Sequence, residues 1–212
     1  MKLYTFFRSS AAFRVRIALN VKGVQYESIP KAFAKNEHRA AAYLALNPQG
    51  LIPALDDDGA VLSQSLAIIE YLDERFPSPP FLPVTPLDRA RVRSMALAIA
   101  CEIHPLNNLR VLNYLRGPLK QDDGGVNTWY RHWVTEGFRG LEQQARAYSV
   151  RQRFCYGDSL SLTDILLVPQ MFNARRFDTD LSAFPTLVAI STHLESLPAF
   201  AAARPEVQPD AT

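Results

Sequence analysis

The chain has few of the features that mark disulfide-stabilised, metal-binding or membrane-spanning proteins. Its 212 residues include only two cysteines, which form no CxxC pair and no metal-ligand cluster. A disulfide framework and a metal site are therefore not expected. No run approaches the roughly 18 apolar residues of a membrane span, and MKLYTFFRSSAAFR lacks the apolar core of a signal peptide. These absences predict a cytoplasmic protein with no membrane partner.

The chain also lacks an excess of charge of either sign. Its 23 basic and 21 acidic side chains give a net charge of +2, so nucleic acid is not an expected partner and any basic site must be local. Hydrophobic residues make up 48% and charged residues 21%, a balance typical of soluble globular proteins. A chain of this length can bury a substantial core.

Up to residue 76 the hydrophobic pattern predicts the order β-α-β-α-β-β-α. The first strand, KLYTFF, leads into a helix that either Ser9 or Ser10 can cap and that ends near Gly23. The later strands are predicted at VQYESIP, at the end of NPQGLIPAL and at AVLSQS, and the later helices at KNEHRAAAYLAL and SLAIIEYLDERF. This alternation is typical of an α/β domain.

A proline-rich stretch, FPSPPFLPVTP, separates this region from a helical one. Five prolines in eleven residues exclude a helix and stiffen the chain, as in a linker. One long helix is predicted over LDRARVRSMALAIACEIHPLNNLRVLNYL, kinked at Pro105, and others over VNTWYRHWVTEGFRGLEQQARAY, SLTDILLVPQMFNARRF and FPTLVAISTHLESL. Ser161 and Asp164 have the spacing of a capping box. The predicted parts are 1–78, a linker at 79–86, and 87–212.

Four segments in this order, SSAAFRVRIAL, NPQGLIPAL, LSQSLAIIEYLDERFP and SLTDILL, resemble the glutathione S-transferase family. Within the family the chain is most similar to the zeta class, which includes glutathione-dependent maleylpyruvate and maleylacetoacetate isomerases of aromatic catabolism. The resemblance extends over nearly the full length. It implies a thioredoxin-like, glutathione-binding domain at 1–78, an all-helical, substrate-binding domain at 87–212, and a homodimer.

The turn Arg8-Ser9-Ser10-Ala11 stands where the first helix begins. A helix N-terminus presents unpaired N–H groups and about half a positive charge, which stabilise an anion. Without cysteine this turn cannot exchange disulfides, but a hydroxyl can donate a hydrogen bond to the sulfur of another molecule. The resemblance assigns that role to Ser9, with Ser10 and Ala11 beside the glutathione sulfur. Such a bond to a charged group is worth about 1.5–3 kcal/mol, or roughly one to two pKa units.

The resemblance assigns further glutathione contacts in the first 78 residues. Ile52, before a cis bond to Pro53, would pair through its backbone with the cysteinyl group as an added strand does. Gln64 and Ser65 would bind the γ-glutamyl carboxylate, with Ser65 capping a helix. Two residues are assigned near the glycyl end, His38 and Gln49.

The remaining candidates are a histidine, an asparagine and three arginines. His104 and Asn108 are four apart and are expected on one helix face, in a segment that the family places over glutathione, partly across the dimer. Arg110 departs from the small polar residue of many zeta members and indicates an additional carboxylate partner. Arg8 and Arg176 match substrate-contacting positions, and a guanidinium pairs with carboxylates through two hydrogen bonds.

These assignments imply an isomerase for a diketo acid that has a cis double bond and a carboxylate at each end. Glutathione acts as the cofactor: its thiolate adds beside the carbonyl, the former double bond rotates, and elimination gives the trans isomer. Ser9, Arg8 and Arg176 are the expected catalytic residues, with no metal and no protein base. Maleylpyruvate is the favoured substrate because Arg110 and Ala11 fit that branch. Maleylacetoacetate stays open.

Two other functions stay open. A glutathione transferase that conjugates or dehalogenates small electrophiles would use the same thiolate but consume it. A transferase-like scaffold for protein contacts would have a degraded thiol site, and the presence of Ser9, Gln64 and Ser65 counts against it.

Overall fold

The computed structural model describes residues 1–211 and contains two compact units. The first comprises Met1–Pro80 together with the chain from Ser196 onwards, and the second comprises Phe81–Glu195. The C-terminal segment therefore belongs to the unit that contains the first turn. The boundaries expected from the sequence, at 1–78, 79–86 and 87–212, stay a prediction.

A four-stranded sheet in the order β2-β1-β3-β4 forms the centre of the first unit. The strands are β1 (Lys2–Thr5), β2 (Glu27–Pro30), β3 (Ala54–Asp57) and β4 (Ala60–Ser63). Its helices are α1 (Ser10–Val21), α2 (Ala41–Leu46) and α3 (Ser65–Arg75). Strand β1 is parallel to β2, because α1 connects them, and antiparallel to β3. This confirms the predicted order and the thioredoxin-like fold.

Only the second half of the helix predicted over KNEHRAAAYLAL is present, as α2. Two 3₁₀ turns, Phe33–Lys35 and Glu37–Arg39, precede the short α2. Between the two turns, Asn36 has φ 54°, a left-handed conformation that ends one turn and starts the next. Alanine propensity alone was therefore not sufficient to predict this segment correctly.

The second unit is helical, which confirms the predicted class of this region. Its helices are α4 (Pro86–Leu97), a π-helical segment (Ala98–Ile103), α5 (Leu109–Arg116), α6 (Asp123–Tyr148), α7 (Leu162–Arg176) and α8 (Pro185–Glu195). A final short helix, α9 (Pro198–Ala201), lies in the first unit. Within residues 1–211, no helix is long and apolar enough to cross a membrane.

The prediction of one continuous helix through Pro105 is wrong. The helical path ends at His104, and a new helix begins after Asn108, which has an extended conformation with ψ 147°. Pro105 has no N–H to continue the hydrogen-bond ladder. Asn108 then caps α5, since its Oδ1 accepts from the backbone N–H of Arg110 at 3.2 Å.

The capping box predicted at the start of α7 is confirmed. The buried Asp164 carboxylate accepts from the backbone N–H of Ser161 at 2.7 Å and from the Ser161 hydroxyl at 2.8 Å. It also accepts from the N–H of Cys155 at 2.7 Å. Burial raises the pKa of Asp164, and these hydrogen bonds offset part of that shift.

Candidate active site

The two serines of the first turn have different positions. Ser9 is the N-cap of α1, and its Oγ accepts from the backbone N–H of Ala12 at 3.2 Å. Ser10 is the first helical residue and is buried. Because the Ser9 oxygen acts as an acceptor toward Ala12, its O–H can donate to a ligand. A sulfur anion beside this hydroxyl would also lie near the positive end of α1.

Arg8 precedes this cap and is exposed. Its guanidinium lies over the Phe7 ring, 4.9 Å from the centroid, and 5.9 Å from that of Phe6. A cation–π contact of this kind orients the guanidinium and leaves its in-plane N–H groups available for hydrogen bonds. The exposed N–H groups of Arg8 are therefore free to donate hydrogen bonds to a ligand such as a carboxylate.

The peptide bond between Ile52 and Pro53 is cis, as the resemblance implies. The preceding carbonyl, of Leu51, accepts from the Tyr43 hydroxyl at 2.7 Å and from Asn47 Nδ2 at 2.8 Å. These two bonds fix the loop that leads into β3. No hydrogen bond within residues 1–211 uses the backbone of Ile52, so its polar groups can pair with a peptide-like ligand.

At the start of α3 the structure corrects one expectation. Gln64, not Ser65, is the N-cap residue, with φ 69°, and Ser65 is the first residue of the helix. Gln64 Nε2 donates to Gln49 Oε1 at 2.7 Å. Two predicted glutathione residues are thereby brought together. A positive φ at glutamine is uncommon and is found more often at functional sites.

Ser65 has a charged neighbour that the sequence did not reveal. The side chain of Arg14, which is 1% exposed, donates from Nη1 to Ser65 Oγ at 3.4 Å. A buried guanidinium behind the N-terminus of α3 adds positive charge where the γ-glutamyl carboxylate is expected. Arg14 therefore supports the anion-binding character of this helix end.

His38 lies in the second 3₁₀ turn and stacks on Phe33, with ring centroids 4.1 Å apart. Burial, and then the charge of Arg39, lower the pKa of His38, so its ring is neutral at neutral pH. Arg39 Nη1 donates to the backbone oxygen of Gln49 at 3.4 Å. Gly50 follows with φ 58°, and a Cβ there would meet Arg39 and the His38 carbonyl. The His38 turn and the Gln49 loop are therefore in contact.

In the second unit the segment 104–108 packs on α6. Trp129 Nε1 donates to the Leu106 carbonyl at 2.9 Å, and Asn107 Nδ2 donates to the Tyr130 carbonyl at 3.3 Å. His104 and Asn108 are not on one helix face, since the helix breaks between them. The expectation that they share a helix face is therefore wrong, although both belong to the segment between the two helices. Arg110 lies in the first turn of α5 and is exposed.

The same turn of α6 also contacts the end of α7. The Tyr130 ring stacks on Phe177 with centroids 3.6 Å apart, and the Arg176 guanidinium lies 5.2 Å from the Phe177 centroid. Burial raises the pKa of the Tyr130 hydroxyl, and the charge of Arg176 opposes this shift. Tyr130 thus connects the segment before Arg110 with the helix end that carries Arg176.

Comparisons with known proteins show which family the chain belongs to. The model of the glutathione S-transferase N-terminal domain matches residues 1–74. A probable maleylacetoacetate isomerase of Vibrio cholerae is 51% identical, over 99% of this chain and 97% of that protein. A holo structure of a bacterial maleyl pyruvate isomerase, described as a zeta-class glutathione S-transferase, covers all of both chains at 45% identity and a TM-score of 0.97. The chain belongs to the zeta class of the glutathione S-transferase family.

A third relative of this zeta-class chain shows a ligand. A maleylacetoacetate isomerase of Anaeromyxobacter dehalogenans, 39% identical with a TM-score of 0.88, covers 100% of this chain and 97% of its own. That structure has dicarboxyethyl glutathione and citrate bound in its active site.

The sequence did not single out two residues that contact the predicted site residues of this zeta-class chain. Arg14 carried a usable signal, because a cation inside the apolar run FRVRIAL needs a buried partner. Tyr130 carried none, since an aromatic residue in an amphipathic helix usually packs in a core. The roles assigned to individual site residues stay predictions, even where the structure brings them together.

Proposed function

We propose that this protein is a glutathione-dependent cis–trans isomerase that converts maleylpyruvate to fumarylpyruvate. The observation that carries the proposal is the Ser9 hydroxyl at the N-terminus of α1, in a chain that is similar over its full length to maleylpyruvate and maleylacetoacetate isomerases. Maleylacetoacetate is the alternative substrate, since relatives of both names match at comparable identity.

The residues of the first unit fit glutathione. The backbone of Ile52 offers unpaired polar groups to the cysteinyl part, and Gln64 with Ser65 offers a helix N-terminus to the γ-glutamyl carboxylate. Gln49 and His38 would bind the glycyl end. Ser10 and Ala11 would flank the sulfur, and His104 and Asn108 would complete the glutathione site. When bound, glutathione supplies the thiolate that adds reversibly to the double bond of the substrate, which can then rotate.

The protein's own residues stabilise the sulfur anion and orient the substrate. Ser9 donates a hydrogen bond to the sulfur and stabilises it as an anion. Arg8 and Arg176 bind the substrate carboxylates and stabilise negative charge that develops on the carbonyl oxygen. Arg110 is an additional carboxylate partner. The dicarboxyethyl glutathione in a relative supports the proposal, because its carboxylates belong to a group carried by glutathione.

A spectrophotometric assay with both maleyl substrates, with and without glutathione, tests the proposed function. We expect isomerisation only when glutathione is present, and a constant concentration of free thiol during turnover. Equal rates without glutathione would contradict the mechanism. Steady loss of thiol would instead favour a transferase that conjugates or dehalogenates electrophiles. Tight glutathione binding without turnover of either substrate would favour the scaffold.

Replacing Arg176 tests substrate binding in the second unit. We expect Arg176→Ala to raise KM about tenfold or more, because a hydrogen-bonded charge pair with a carboxylate is lost, and Arg176→Lys to recover part of the loss. Arg175→Ala is the matched control. It removes the same charge from the neighbouring residue, whose guanidinium pairs with Glu195. An unchanged KM in Arg176→Ala, or an equal rise in the control, would remove Arg176 from the site.

We also propose that the protein acts as a homodimer in the cytoplasm, with domains at 1–78 and 87–212 joined by the linker 79–86. The resemblance to the family supports the homodimer and the two-domain organisation. Sedimentation equilibrium of the purified protein would measure the assembly directly.

A further inference from the structure

The C-terminal segment reaches the first turn through Asp210. Its Oδ2 accepts a hydrogen bond from the backbone N–H of Phe7 at 2.9 Å. Phe7 lies two residues before Ser9 and is buried, with 7% of its surface exposed. A carboxylate from the far end of the sequence therefore holds the backbone that leads into the predicted thiol site.

Arg16 also contacts both the first turn and the C-terminal segment. Its fully buried guanidinium donates from Nη2 to the Phe7 carbonyl at 2.9 Å and from Nη1 to Thr5 Oγ1 at 3.1 Å. Its Nε donates to the Ala203 carbonyl at 3.0 Å, in the segment after α9. One side chain of α1 thus fixes both the turn and the C-terminal segment, since all of these bonds lie within the first unit.

The charges of this arrangement are balanced. Burial lowers the pKa of Arg16 to about 10, and the nearby Tyr26 and Asp210 raise it again in part. Arg16 stays protonated at neutral pH, and Asp210 provides a negative charge near it.

The Phe6 carbonyl connects Arg16 with the backbone of Ser9. The backbone N–H of Ser9 donates to the Phe6 carbonyl at 3.0 Å, and Arg16 Nη1 contacts that carbonyl at 3.5 Å. Phe6 and Phe7 are therefore held on both sides, and the backbone of Ser9 is held by Phe6. A shift of this dipeptide moves Ser9 relative to any ligand at the start of α1.

We propose that Asp210, together with Arg16, is a positioning residue that holds the Phe6–Phe7 backbone and thereby aims the Ser9 hydroxyl at the glutathione sulfur. The C-terminal segment is then part of the thiol site without touching the ligand. This inference rests on the proposed function, because it assumes that Ser9 binds that sulfur. Its distinctive feature is that the acceptor geometry of Asp210 matters more than its charge.

Two substitutions separate geometry from charge. Asp210→Asn keeps an oxygen that can accept from Phe7 and removes the charge, whereas Asp210→Ala removes both. Positioning predicts that Asp210→Ala raises the pKa of the bound glutathione thiol by about one unit, a tenfold loss of thiolate, and that Asp210→Asn stays close to wild type. A through-space effect of charge predicts the opposite sign, a lower thiol pKa in both variants.

The control lies on the same segment. Glu206 is exposed in the 3₁₀ turn Pro205–Val207. Glu206→Ala and Glu206→Gln therefore remove an equal charge without changing the hydrogen bond to Phe7. The thiol pKa is measured by ultraviolet titration of the enzyme–glutathione complex. Hydrogen exchange of the Phe7 amide is measured in the ligand-free protein, where we expect faster exchange only in Asp210→Ala.

The outcomes separate this inference from the proposed function. If wild type lowers the thiol pKa and Asp210→Ala matches it, the positioning role is overturned while the isomerase proposal stands. A lower thiol pKa in both Asp210 variants also overturns it. Failure of wild type to bind glutathione would overturn both, and that result appears before any variant is compared.

Discussion

Ser9→Ala should reduce kcat/KM for the maleyl substrate by about 10- to 100-fold, the rate equivalent of losing a 1.5–3 kcal/mol hydrogen bond to the sulfur anion. The pKa of bound glutathione should rise by roughly one to two units for the same reason. Because the thiolate is the reactive form, the rising limb of the pH–rate profile should move to higher pH. The loss should therefore be largest near neutral pH and smaller in alkaline solution.

Ser9 also caps α1, so a loss of activity needs a control for stability. Removing a cap costs about 0.5–2 kcal/mol. Thr85→Ala is matched in this respect, because Thr85 Oγ1 accepts from the Asp88 N–H at 3.2 Å at the start of α4. We expect it to lower the melting temperature without changing the thiol pKa. Ser9→Thr keeps the hydroxyl and should retain most activity; a thiol pKa equal to wild type in Ser9→Ala would contradict the assignment.

The parts of the fold that the sequence predicted depend on local chemistry. The start of α1 at Ser9 and the capping box of α7 follow from side chains within three residues of each other. Local signals of this kind need no tertiary contact, so their spacing is visible in the sequence. The order of strands and helices followed from hydrophobic periodicity for the same reason.

The parts that were missed have several causes, of which the first is contact between distant residues. The hydrogen bond from Phe7 to Asp210 joins opposite ends of the sequence, and no local pattern predicts it. Gln64 has a left-handed backbone without the glycine or asparagine that usually signals one. The break after His104 has a local cause in Pro105, but a kinked and an interrupted helix give the same sequence pattern.

The π-helical segment Ala98–Ile103 was also invisible in the sequence, and its last residue makes a close contact. Ile103 is fully buried, and α6 passes it at Gly137. A Cβ at Gly137 would overlap with Cγ1 and Cδ1 of Ile103. The absence of a side chain at Gly137 therefore sets where the segment before His104 lies.

Gly137→Ala should destabilise the protein, whereas Gly140→Ala should stabilise it. Alanine is favoured over glycine inside a helix by about 0.5–1 kcal/mol, and no atom outside the helix backbone lies within 4 Å of a Cβ at Gly140. At Gly137 the same gain is opposed by overpacking, which costs about 1–3 kcal/mol. Urea unfolding of the two variants measures the difference, and equal stabilities would contradict the close approach.

A double-mutant cycle with Ile103→Ala identifies the contact. Alone, Ile103→Ala should cost about 2–5 kcal/mol by leaving a cavity. Combined with Gly137→Ala it should cost less than the sum, because the new methyl group occupies part of that cavity, with a coupling of about 0.5–3 kcal/mol. Since Ile103 directly precedes His104, Gly137→Ala should also weaken glutathione binding more than Gly140→Ala does. Additive free energies would show that the methyl group is accommodated elsewhere, and that α6 does not fix the position of this segment.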